Sequence, residues 1–235
     1  NISLVARDGI GNGTNGNLDL ASGSNLSAEV TGTGSIGVDI AGNGTLQDIK
    51  TSAGSVEVTA TGALTATSVV AEGAGQDVTL STTSGGIAAT YVSATDSVSL
   101  NASSGNVDIT VLKATTGQAG ISAGGGSIRG VAEDEVADID ASTVTLTARD
   151  GITGSTTNAP LELVGTASVS AATTNSGTIN LKGLGDLTVT STTTANGPIA
   201  ITTAGNLSAT SITSTTNSDA NDITLASTNG SMSLG

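Results

Sequence analysis

The 235-residue chain contains no cysteine, histidine, tryptophan or phenylalanine; Tyr91 is its one aromatic residue, and proline occurs only at positions 160 and 198. Each absence excludes something. Without cysteine there is no disulfide framework and no thiol nucleophile. Without histidine the usual general base and the commonest metal ligand are missing. A core of ordinary globular shape draws heavily on aromatic area, so this interior must be assembled from Val, Ile, Leu and Ala. Basic residues are few, six against twenty acidic, and the formal charge of -14 argues against a nucleic-acid partner, whose phosphates would repel it. No apolar run reaches the length that spans a bilayer as a helix.

What is present is repetition. An apolar-x-apolar pair, a glycine-bearing corner and a second alternating stretch recur about every twenty residues. The phrase reads Val78-Thr79-Leu80, Gly86, Ile87; Val98-Ser99-Leu100, Gly105, Val107; Ile199-Ala200-Ile201, Gly205, Leu207; and Ile223-Thr224-Leu225, Gly230, Met232. Self-similarity at this period marks stacked units that share one continuous core. The alternation and the β-branched content exclude disorder, and the glycine, threonine and valine content disfavours helix. Pro160 and Pro198 each precede a strand, where the missing N–H is tolerated.

The first apolar residues of the phrases are Ile2, Leu18, Val38, Val56, Val78, Val98, Ala119, Val144, Leu161, Ile179, Ile199 and Ile223. They predict about twelve coils of roughly twenty residues and a rod of about 55–60 Å. In the second stretch the next apolar residue follows at +5, as in Leu64 to Val69, Ile87 to Val92, Val107 to Leu112 and Leu207 to Ile212. A +5 step breaks period-two alternation once, as a corner between two strands would. The expected fold is an all-β parallel β-helix, a solenoid running through residues 1–235 as a single unit. The chain opens and closes inside a repeat, which points to a piece of a longer array whose adjacent repeats are its neighbours. A longer period sits above this one: Ala6-Arg7-Asp8-Gly9-Ile10 returns as Ala148-Arg149-Asp150-Gly151-Ile152, and Asn17-Leu18-Asp19-Leu20 is answered by Pro160-Leu161-Glu162-Leu163. This reads as a duplicated block of about seven coils in which both copies hold the same place in a coil, with glycine supplying positive φ at the corner.

The strand phrases, above all 144–152 and Asp222-Ile223-Thr224-Leu225 with Gly230, resemble the repeats of filamentous-haemagglutinin-like adhesins. The resemblance runs through essentially the whole chain and is periodic and compositional. It implies a right-handed parallel β-helix, two-partner export to the bacterial surface or medium, and attachment to host or neighbouring cells through an unspecified protein or glycan. The expected role is a structural shaft segment of a secreted adhesin, not an enzyme.

Two acidic features are candidate Ca²⁺ sites, because hard cations take clustered carboxylate oxygens. One is Glu133, Asp134, Glu135 and Asp138, in the longest coil, where a solvated insertion or a contact for a basic partner is the alternative reading. The other is Asp19, Asp39 and Glu57, expected outward on three successive coils, where offset register or salt screening is the alternative. No other cofactor is expected. Outward threonines, including Thr65, Thr90, Thr110, Thr188 and Thr210, offer a carbohydrate- or ice-binding face against plain strand propensity. A polysaccharide-degrading site would rest on paired carboxylates alone.

Overall fold

The computed structural model describes residues 1–11, 16–132, 134–165, 167–216 and 218–235. Among these the chain is all strand and turn, and its strands pair in parallel into a solenoid of about 11 turns of ~21 residues. At one strand spacing per turn the stack is about 50 Å long, one turn shorter than the phrase count predicts.

Two stacks of strands, here face A and face B, enclose the core. Through most of the chain face A carries straight five-residue strands: Val56–Ala60, Val78–Thr82 and Val98–Ala102 lie directly over one another, with Val56, Val78, Val98 and Ala119 in one column. Face B carries the longer strands Gly44–Thr51 and Ile87–Ala94 and the pair Leu64–Ala66 and Val69–Ala71. In Gly44–Thr51 and Ile87–Ala94 strict alternation is interrupted by two successive outward residues, 47–48 and 90–91. That is the corner the +5 step predicts, and it gives the rod a three-sided section.

Inside, like stacks on like. Leu80, Leu100 and Ile121 form one column, Ile87, Val107 and Ile128 another, all essentially buried. Each neighbouring turn therefore removes the same aliphatic surface from water, at about 25 cal/mol per Å². Polar residues finish the ends of the strands. Side-chain oxygens of Asn43, Asn106, Asp77 and Asp186 accept backbone N–H groups of Ala63, Ser127, Ser97 and Asn206 in the next turn, at 2.7–3.0 Å. Buried threonines such as Thr51, Thr82 and Thr203 donate to glycine carbonyls at the turns. The corners thus keep their backbone partners where the ladder lapses.

The duplicated pentapeptide occupies opposite faces. The first copy leaves face B, where Ala6 pairs with Val30, and reaches face A, where Ile10 bridges Ile36. The second leaves face A, where Ala148 pairs with Ala123 and Thr173, and reaches face B, where Ile152 pairs with Ile128 and Ile179. The copies hold one place in the phrase but not one place in the coil. After the second copy the straight strands Ile179–Gly183, Ile199–Thr203 and Ile223–Ser227 run up face B, and the cornered strand Leu187–Thr194 appears on face A. Before the first copy the straight strand Ile2–Ala6 is likewise on face B. After it Ser24–Val30 is still straight there, the cornered Gly44–Thr51 follows through a register shift between Leu26 and Ser27, and the straight strands continue on face A. Each copy exchanges the roles of the two faces. Gly9 has φ +136°, as expected of the corner, whereas Gly151 does not adopt positive φ.

Two of the phrase-leading residues accordingly stack elsewhere than the sequence predicts. Leu161 stacks on Leu181 of face B, not on the Val144 column, and Ile36, rather than Val38, is level with Val56.

Candidate functional site

The regular section is broken on face B by two excursions in consecutive turns. The chain leaves the ladder after Gly130 and rejoins it at Ile139, where the turn below needs only 110–111 between the matching Ile109 and Leu112. Residues 154–160 leave between Thr153, which still pairs with Arg129, and Leu161, where the turn above needs only Asn180 between Ile179 and Leu181. The loops lie at the corner where face B passes from bent to straight, and the extra length takes up the mismatch. Between them is a cleft of about 440 Å³, lined by Glu135, Thr156, Asn158, Ala159, Pro160, Glu162 and Lys182.

The chemistry of the cleft centres on Lys182. Its Nζ lies 3.0 Å from Glu162 Oε1 and 2.5 Å from Glu135 Oε2. Glu162 is buried, and its Oε2 has no hydrogen-bond partner among the described residues. Glu135 is its opposite, with a side chain 77% exposed. The hydrogen bond it donates to Glu135, seconded by the one to Glu162, holds the ammonium above the ordinary lysine value against burial, which pulls it down. Beneath the pair, Asp138 is fully buried; its Oδ2 accepts the Glu162 N–H at 2.9 Å and its carbonyl accepts the Leu112 N–H at 2.8 Å. A Cβ on residue 130 would sit 2.1 Å from Asp138 Oδ2, so glycine leaves the room this carboxylate fills.

The acidic residues singled out in the sequence are separated by this geometry. Glu133 lies outside the described residues. Asp134 Oδ1 accepts the Val136 N–H, Glu135 goes to Lys182 and Asp138 turns inward. Among the described residues no three acidic side chains converge to hold a cation. The second set is divided too. Asp19 stacks directly on Asp39, but Asp39 lies level with Thr59, and Glu57 pairs with Gly37. Because Ile36 leads its strand, Glu57 falls two places from the expected column, and the remaining Asp19–Asp39 contact is softened by Asn17 Nδ2, 3.2 Å from Asp39 Oδ1.

The threonines form no single face. Thr45 and Thr65 stack on face B and give way to Ala88, Asp108 and Arg129, while Ser168, Thr188 and Ser208 stack on face A. Exchange of the faces splits the array in two.

The six basic residues, scattered in the sequence, each meet a carboxylate. Four do so one turn away along the axis: Lys50 with Glu72, Lys113 with Asp140, Arg129 with Asp108 and Lys182 with Glu162. Arg129 is bidentate, at 2.7 and 2.9 Å, and its guanidinium is held above its ordinary value by the Asp108 hydrogen bond. Glu162 and Lys182 were not anticipated from sequence. The signal was the twenty-residue offset between Leu161-Glu162-Leu163 and Leu181-Lys182-Gly183, which puts opposite charges one above the other.

Comparison with protein-family models, with curated proteins and with solved structures finds no match to this chain.

Proposed function

We propose that residues 1–235 form a shaft segment of a secreted bacterial adhesin, a rigid spacer on the cell surface that presents attachment sites at a distance. The observation that carries this reading is the unbroken aliphatic column running from turn to turn through both exchanges of face. Length in such a rod grows by adding copies of one phrase, and each new turn is stabilised by the one beneath it. A spacer needs that property and no reaction centre.

The composition supports the same reading. The acidic, aromatic-poor exterior favours solubility over self-association, and the resemblance of the strand phrases to haemagglutinin-like repeats supplies the surface location. A continuous ice- or sugar-binding threonine face draws less support, because the exchange of faces interrupts it. Polysaccharide cleavage draws little, since the two carboxylates of the cleft, Glu135 and Glu162, are both engaged by Lys182.

An antibody raised against residues 1–235 tests the proposal. It is expected to label intact producing cells or their medium without permeabilisation. Labelling that appears only after the cells are opened would overturn the surface reading.

A further inference from the structure

The shaft reading gives the paired-loop cleft no task. Lys182 there has two partners of different standing. Glu162 is a fixture of the wall, its side chain 6% exposed. Glu135 comes from an excursion, is largely exposed, and is the one non-glycine among the described residues with positive φ, at 60°. Backbone of that kind is costly for any residue with a Cβ and is retained where the surroundings impose it. Here the imposed result is a carboxylate set on an ammonium at the edge of a cleft.

We propose that Lys182 is the anchor of a carboxylate-binding site and that Glu135 is its built-in, displaceable occupant. The ligand is a small carboxylate that also bears hydrogen-bonding groups, such as an acidic sugar or an acidic amino-acid side chain. Its carboxylate takes the place of the Glu135 carboxylate on Lys182 Nζ. Its hydroxyl or amide groups meet Thr156 and Asn158, exposed polar residues that line the same cleft. The volume of about 440 Å³ lies in the range of roughly 300–1,000 Å³ usual for small-ligand sites. Glu162 remains on Lys182 throughout and fixes where the ammonium points. Because Glu135 is tethered beside the site, it competes at high effective concentration, and the resting protein binds a free carboxylate weakly.

Glu135→Gly is the informative variant: it removes the competing carboxylate and suits the left-handed backbone at that position. Titration with galacturonate and with N-acetylglutamate, followed by calorimetry or by NMR shifts, distinguishes a sugar acid from an acidic side chain. Galactose serves as the neutral control. For at least one acid, Glu135→Gly is expected to bind roughly tenfold tighter than the native chain, as the competent fraction rises. Adding Lys182→Met should abolish that binding. Since Lys182→Met leaves Glu162 without its cation, Asn158→Trp in the Glu135→Gly background gives a second test, filling the cleft from an exposed loop with the ion pair intact. Circular dichroism confirms that each variant is folded. Loss of binding in Asn158→Trp supports the site. Equal affinity in native and Glu135→Gly chains, no saturable binding of either acid, equal binding of galactose, or binding unchanged by Asn158→Trp would each overturn it.

Discussion

Gly177 and Gly120 look alike in the sequence, one glycine among Ser and Thr, the other in an alternating strand. Their surroundings differ completely. A Cβ on residue 177 would sit 1.3 Å from the carbonyl oxygen of Asp150, the corner of the second pentapeptide, while a Cβ on residue 120 would meet nothing within 4 Å. At the first site the missing Cβ would point into the backbone of the neighbouring turn; at the second, which is laddered to Ser99 and Thr145, it would point into open space. Gly177→Ala is therefore expected to cost about 3 kcal/mol, as severe overpacking does. Gly120→Ala should instead stabilise by about 0.5 kcal/mol, through a less flexible unfolded chain. Urea unfolding of the two variants measures both, and a mild Gly177→Ala would show that the corner relaxes freely. Residue scale is also where the candidate site was least legible. Asp138 and Glu135 belong to one acidic run, yet one is buried against Gly130 and the other exposed on Lys182. Sequence spacing of three carries no such distinction once the chain has left the strand.

At the scale of elements, the strand phrases were readable because burial follows them directly. Val98–Ala102 alternates inward and outward, and the +5 step appears in Ile87–Ala94 as two outward residues in succession. The exchange of faces was not readable, because it leaves the phrase unaltered and changes only what the phrase lies upon. Leu161-Glu162-Leu163 has the look of a first strand, but it is one arm of a cornered turn, joined through 154–160 to the other arm, Gly151–Thr153. Register governs this junction, and the loop, closed on itself by the Gly154 N–H to Ala159 carbonyl bond at 2.7 Å, takes up the extra length. Replacing residues 153–160 by a single Asn would place Ile152-Asn-Leu161 under Ile179-Asn180-Leu181. The shortened chain is expected to keep its sheet signal in circular dichroism and to melt cooperatively. An insoluble or unfolded product would show that the loop itself holds the transition.

As a whole molecule the rod has no centre. Each turn contacts its two neighbours, so stability is a sum of repeat and interface terms, and in residues 1–235 by themselves the first and last turns have one interface each. Ile223, Met232 and Leu234 are correspondingly exposed in the last turn, while Val78, Leu80, Val98 and Leu100 are buried in the middle. Amide hydrogen exchange is expected to follow position along the axis, slowest in strands 78–82 and 98–102 and fastest in 2–6, 223–227 and 232–234. Uniform protection from end to end would contradict a nearest-neighbour rod. The same linearity explains the ion pairs. With charge spread along one dimension, an acidic residue's near neighbours are those one period away, and Arg129 on Asp108 and Lys182 on Glu162 are placed accordingly.

By itself the sequence determined the period, the corner, the aliphatic interior and hence a parallel solenoid, because each is a local pattern whose only way out of water is to lie on its own repeat. Tertiary structure alone decided which face a given phrase occupies, and with it which side chains become neighbours. Identical pentapeptides on opposite faces, the divided threonine columns and the meeting of Glu135, Glu162 and Lys182 all depend on how much chain is looped out at a corner. That length shifts the stacking register of everything after it without changing the preferences of any residue.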